Sequence, residues 1–213
     1  MLRKSVAVPV VMLVVGWSGV FGAERFIQLK IGPTWPKELQ WSGKPTAGDG
    51  SVHMGLVVDR KIAFGGGIDF LWNVNKKASP IAGSNNSYKI EESQKTFMFP
   101  VSGYLALSPI PQFRFHPCLS TQIGFNTLYY ANKQDSLQEN SSIPIVDENG
   151  FYMGFYWKIA ADVAFNLGEN SELFAGLEYQ VSRPDKINVE RTDIFTQRDM
   201  NGVGFRFGVR IMY

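Results

Sequence analysis

Residues 202–213 read GVGFRFGVRIMY. Val203, Phe205, Phe207, Val209, Ile211 and Tyr213 take alternate positions, and Gly204, Arg206, Gly208, Arg210 and Met212 take the others. A period of two puts the two sets on opposite faces of a β-strand. One face is bulky and apolar; the other carries glycines, a methionine and two guanidinium groups. Such a strand needs two different surroundings, and the rest of the chain decides which is which.

Seven earlier segments repeat the pattern, at 26–35, 51–58, 62–72, 97–107, 113–130, 151–165 and 172–181. Their connectors alternate in length. Residues 59–61, 108–112 and 166–171 are hairpin-length and have turn chemistry. The connectors beginning near Pro36, Val74, Ala131 and Arg183 are long and rich in Ser, Asn, Lys, Glu and Asp. Long loops at every other connection all fall on one end of an up-and-down sheet. The expected fold is therefore an all-β, eight-stranded antiparallel transmembrane barrel with three short periplasmic turns and four long extracellular loops.

Alternation alone also fits a soluble lipocalin-like carrier, whose apolar face points inward. Three features point it outward here. Six or seven large side chains per strand would overfill a small barrel. The opposite row holds mid-strand charges: Lys30, Asp69, Arg114, Lys158, Asp162, Glu178, Arg206 and Arg210, with His53 and His116 on the same row. Such groups pair inside a lumen, and burial without partners costs several kcal/mol each. Aromatic residues gather near strand ends, at Trp35, Trp72, Phe113, Tyr129, Phe151 and Tyr213, as expected of an interfacial girdle. The segments are about as long as the roughly 9–11 tilted residues that cross a bilayer.

Residues 1–22 read as a removable signal peptide, with Arg3 and Lys4, an apolar stretch and small residues before a cut after position 22 or 23. The barrel domain is then 23–213. The formal charge of +2 offers no argument for nucleic acid as a partner. One cysteine, Cys118, excludes an internal disulfide.

The strand count, the signal segment, the alternating connectors and the terminal aromatic resemble the small outer-membrane β-barrel proteins of the OmpA-barrel and OmpX-like group. The resemblance implies a bacterial outer-membrane location, contact with outer-membrane lipid and lipopolysaccharide, and Val209, Ile211 and Tyr213 as a signal for the outer-membrane assembly machinery.

Little in the chain suggests chemistry. A lipid hydrolase of this architecture would set His and Ser two apart on one strand face; here only the reversed order, Ser51 before His53, occurs. Asp69, Asp162 and Glu178 are expected to face lumen cations rather than to do acid–base work. No metal-ligand spacing occurs, and no cofactor is expected. Glycines 65–67 are expected to relieve crowding, and Cys118 to be a small lumen residue. The loop at 74–96 is basic (Lys76, Lys77, Lys89, Lys95 against Glu91, Glu92), and that at 131–150 is acidic (Asp135, Glu139, Asp147, Glu148 against Lys133). These loops can pair with each other or present a surface for a ligand. The expected role is structural or interactive at the cell surface. The alternatives are a narrow pore, weakly favouring anions on five basic lumen groups against three acidic, and a lipid-modifying enzyme.

Overall fold

The computed structural model describes residues 23–40, 46–80, 88–138, 141–188 and 196–213; the expected signal peptide lies outside them. Eight long strands are present: β1 (Glu24–Pro36), β2 (Ala47–Val58), β3 (Ile62–Pro80), β4 (Tyr88–Leu107), β5 (Phe115–Gln138), β6 (Ser141–Asn166), β7 (Ser171–Ser182) and β9 (Gly202–Met212). A two-residue strand, β8 (Asp185–Lys186), rests on β6, and a single helical turn, α1 (Lys37–Gln40), follows β1. Each long strand pairs antiparallel with its neighbours in sequence, and β9 returns to β1. The ring is closed, so no strand edge faces lipid. Tyr213 extends the closure: its N–H donates to the Arg25 carbonyl at 2.9 Å and its carbonyl accepts from the Arg25 N–H at 3.0 Å.

The stagger of the ring can be read from its cross-strand partners. Phe155 on β6 lies opposite Phe125, and the row continues through Val101, Ile68, Val52, Leu29, Val209 and Leu173. It returns to β6 at Phe165, ten residues nearer the periplasmic end. Eight strands with this stagger tilt by roughly 40° and leave an interior that side chains fill. All nine residues of the row point outward.

The outward set is exposed around the whole ring, for example Leu29, Met54, Ile68, Val101, Phe125, Phe155, Leu177 and Phe207. An apolar belt of this extent is foreign to a water-soluble monomer and is what lipid requires. From Val203 to Tyr213 the belt spans ~25 Å along the barrel axis, given ~3.3 Å per residue and the tilt. Among the described residues no helix is long and apolar enough to cross a membrane. Leu56 differs from the expected exposure and is buried, at 5%.

The periplasmic turn between β2 and β3 is tight. Lys61 N–H donates to Val58 O at 3.0 Å, and Asp59 and Arg60 both have positive φ, 51° and 55°. The left-handed geometry suits the twist of the flanking strands, although neither residue is glycine. At the other end the expected loops prove partly regular. β3 and β4 stay paired out to Pro80 and Lys89, and β5 and β6 out to Gln138 and Ser141, with a register shift at Gln134/Asp135. Four strands thus project beyond the membrane as a continuous sheet.

Candidate functional site

The inward rows meet in a lumen that is polar in the middle and apolar at both ends. At its centre Arg206 (β9) binds Asp49 (β2) and reaches Glu178 (β7) at 2.8 Å through Nε. It also approaches Asp69 (β3) at 3.6 Å and donates to Ser51 Oγ at 3.0 Å. Lys158 (β6) lies 2.8 Å from Asp69, 3.1 Å from Asp49 and 3.3 Å from Glu178. The Tyr156 hydroxyl donates to Asp69 at 2.5 Å, and His53 Nε2 is 3.4 Å from the other Asp69 oxygen. Five strands therefore converge on two cations and three carboxylates, all nearly inaccessible. The desolvation cost of such a cluster is large, and each charge is tolerable only because its partners are present. A one-residue slip of any strand would turn its charge into lipid, so the cluster also enforces register.

Toward the periplasm Lys30 pairs with Asp162 at 2.5 Å. Arg210 bonds Glu172 at 3.0 Å, Gln28 at 2.8 and 3.0 Å and the Tyr104 hydroxyl at 3.0 Å, and its guanidinium lies 4.6 Å from the centre of the Phe174 ring. His116 is 3.8 Å from Glu172. Interleaved with these groups, Phe26, Val57, Ala63, Ala106, Cys118, Ala164, Phe174 and Met212 form an apolar floor. Cys118 is wholly buried there.

Toward the outside Leu39, Leu71, Met98, Leu128, Tyr152 and Met200 form an apolar lid. Leu39 comes from α1 and Met200 from the segment before β9, so chain outside the ring folds into the mouth. Arg198 fastens this lid. It bonds Glu38 of α1 at 2.6 Å and pairs with Glu148 of β6, and it lies over the Tyr130 ring at 4.0 Å. The backbone N–H of Glu38 donates to Asp199 O at 2.9 Å.

A closed ring of eight strands, an exposed apolar belt and a filled polar lumen define one architecture. The chain has the fold of the small outer-membrane β-barrels. Neisserial surface protein A superposes with a TM-score of 0.54 at 13% identity, covering 90% of this chain and 97% of that one. A major outer membrane protein of Thermus thermophilus gives 0.47 at 10%, and Ail of Yersinia pestis 0.43 at 13%, each over 90% of this chain and 99% of the other. No family model and no curated protein matches the sequence. At these identities the likeness is one of fold.

The barrel places Lys30, Asp69, His116, Lys158, Asp162, Glu178, Arg206 and Arg210 in the lumen, all buried. Arg114 is the exception. It precedes β5 in the periplasmic turn, is exposed, and lies with its guanidinium 4.9 Å from the centre of the Phe165 ring. The period-two count runs past the start of the strand there, where it no longer governs direction. Asp49 and Glu172 are lumen carboxylates that the sequence pattern did not select. Asp49 stands among glycines that read as loop, and Glu172 stands next to a turn. Among the described residues five basic side chains (Lys30, Lys158, Arg198, Arg206 and Arg210) and five acidic ones (Asp49, Asp69, Asp162, Glu172 and Glu178) are buried, which cancels the expected basic excess and removes the basis for an anion preference.

Trp35, Trp72, Tyr129 and Phe151 lie toward the outer end of the belt, and Phe113 and Tyr213 toward the periplasm. Trp72, Phe97, Tyr129 and Phe151 are successive partners across four strands. Tyr129 and Phe151 have centroids 5.1 Å apart. Trp157 faces outward within the belt, and its indole N–H donates to Thr121 Oγ1 at 2.9 Å. That bond satisfies the one polar atom that lipid could not. Val209 and Ile211 also face outward, half-buried and exposed respectively.

Proposed function

We propose that the protein is a closed outer-membrane barrel whose role is structural or interactive, presenting the projecting ends of β3–β6 at the cell surface. The observation that carries this reading is the filled lumen: a charge cluster held between an apolar floor at Phe26 and Phe174 and an apolar lid at Leu39 and Met200. An ion would have to displace apolar side chains at both ends and break salt bridges between them. A non-enzymatic role agrees with the placement of Ser51 and His53. Ser51 Oγ accepts from Arg206, His53 lies against Asp69, and both residues are sealed from lipid and water. Outer-membrane lipid is the surrounding partner. Val209, Ile211 and Tyr213 would serve the assembly machinery during insertion. Planar-bilayer recording of the purified protein tests the reading: no unitary steps are expected, and reproducible steps of fixed size would establish the pore instead.

A further inference from the structure

On the inward face of β3–β5, just beyond the girdle, polar side chains stand in two rows. Asn73 lies opposite Thr96, and Thr96 opposite Tyr130. One step farther out Asn75 lies opposite Gln94, and Gln94 opposite Asn132. Asn73, Asn75, Gln94 and Thr96 are at most 6% exposed, and Asn132 is half-buried. Residues directly across a ladder have Cβ atoms roughly 5 Å apart, so their side-chain oxygens share one small volume. Two of the amide nitrogens are committed. Asn73 Nδ2 donates to the Thr46 carbonyl at 2.8 Å, and Gln94 Nε2 donates to the Tyr130 hydroxyl at 3.1 Å. The first bond fixes the amide of Asn73, because a flip would set oxygen against oxygen. Among the described residues, Asn73 Oδ1, Asn75 Oδ1, Gln94 Oε1, Thr96 Oγ1 and Asn132 Oδ1 are buried without a hydrogen-bond partner.

A buried acceptor without a donor is costly, and several side by side also repel one another as dipoles. The Thr96 hydroxyl can serve one of its neighbours and no more. So little exposure leaves room for nothing larger than a water molecule or a monatomic ion. The charges nearby are opposed in sign. Arg198, over the Tyr130 ring, is paired with Glu38 and Glu148, and in the next row outward Glu92 stands opposite Lys77. The shell itself is neutral, made of amide and hydroxyl oxygens. Such oxygens replace the hydration of a singly charged hard cation. A divalent ion is far costlier to desolvate and draws its affinity from carboxylates, which this shell lacks.

We propose that Asn73, Asn75, Gln94, Thr96 and Asn132 form a binding site for an alkali-metal cation at the base of the projecting sheet. The last described partner of β2 on β3 is Trp72, so the ion braces β3 against β4 and β5 where its other neighbour ends. The test is thermal unfolding of the purified protein in a zwitterionic detergent at fixed chloride concentration. Lithium, sodium, potassium or rubidium replaces N-methylglucamine, which is too large to enter and sets the ion-free baseline. At ten times its Kd the bound ion should raise the midpoint by about 3–6 °C. The largest shift identifies which ion the shell fits. Asn75→Leu/Thr96→Val removes two of the oxygens at nearly constant volume, and neither oxygen has a hydrogen-bond partner to lose. This variant should keep its heat-modifiable mobility and lose the alkali response. Thr96→Val alone, the smaller change, should weaken the response. Equal midpoints of the unaltered protein in all five salts would mean that water fills the site. An undiminished response in both variants would put the ion elsewhere. Either result would overturn the proposal.

Discussion

At the scale of the residue, Arg206 is the side chain on which the interior most depends. It touches Asp49, Asp69, Glu178 and Ser51. Its removal leaves three carboxylates sharing Lys158, with no water to compensate them. Arg206→Ala should destabilise the barrel by about 3–5 kcal/mol in denaturant unfolding from lipid vesicles. Adding Asp49→Asn should cost less than the sum of the two single changes, because each removes part of the other's imbalance. Unaltered stability of Arg206→Ala would mean that the cluster is hydrated. Much of this cluster was legible beforehand, since an arginine or lysine in the middle of an apolar strand has few places to go. Asp49 and Glu172 were not, because burial at a strand end leaves no alternating neighbours to mark it.

The strands themselves show where the period-two signal stops. Inside the membrane one face meets lipid and the other the lumen, so polarity alternates and the segments at 26–35, 62–72 and 151–165 announce themselves. Beyond the girdle both faces of β3–β6 meet water. Lys76-Lys77 and Glu91-Glu92 are polar in succession, and the pattern vanishes although the pairing continues. The alternation therefore falls short of the strands chiefly at the outer end, while at the periplasmic end the bounds differ by at most two residues, as at Glu24 and Phe115. The turn at Asp59-Arg60 yields a prediction of its own. Both residues occupy left-handed backbone, which costs a residue bearing a Cβ about 1–2 kcal/mol. Arg60→Gly should relieve much of that and raise stability by about 1 kcal/mol in the same unfolding measurement. A loss of stability would show that the Arg60 side chain makes a compensating contact.

The whole molecule has one orientation: lipid outside, a packed polar interior within, and both ends stopped by apolar side chains. A soluble carrier with the same strand order would reverse the first statement, and a channel would contradict the last. The strand at 202–213 distinguishes the lipid-facing barrel from the carrier with the fewest assumptions, because its outward residues run from the girdle at one end to that at the other. The direct measurement is a scan of single cysteines at Val203, Phe205, Phe207, Val209 and Ile211, each in a Cys118→Ser background and carrying a fluorophore, in vesicles containing brominated lipid. Quenching is expected at all five positions, deepest at Phe207 and Val209, together with no reaction of the unlabelled thiols toward a water-soluble maleimide. Full reaction with the maleimide and no quenching by lipid would put the apolar face somewhere other than the bilayer.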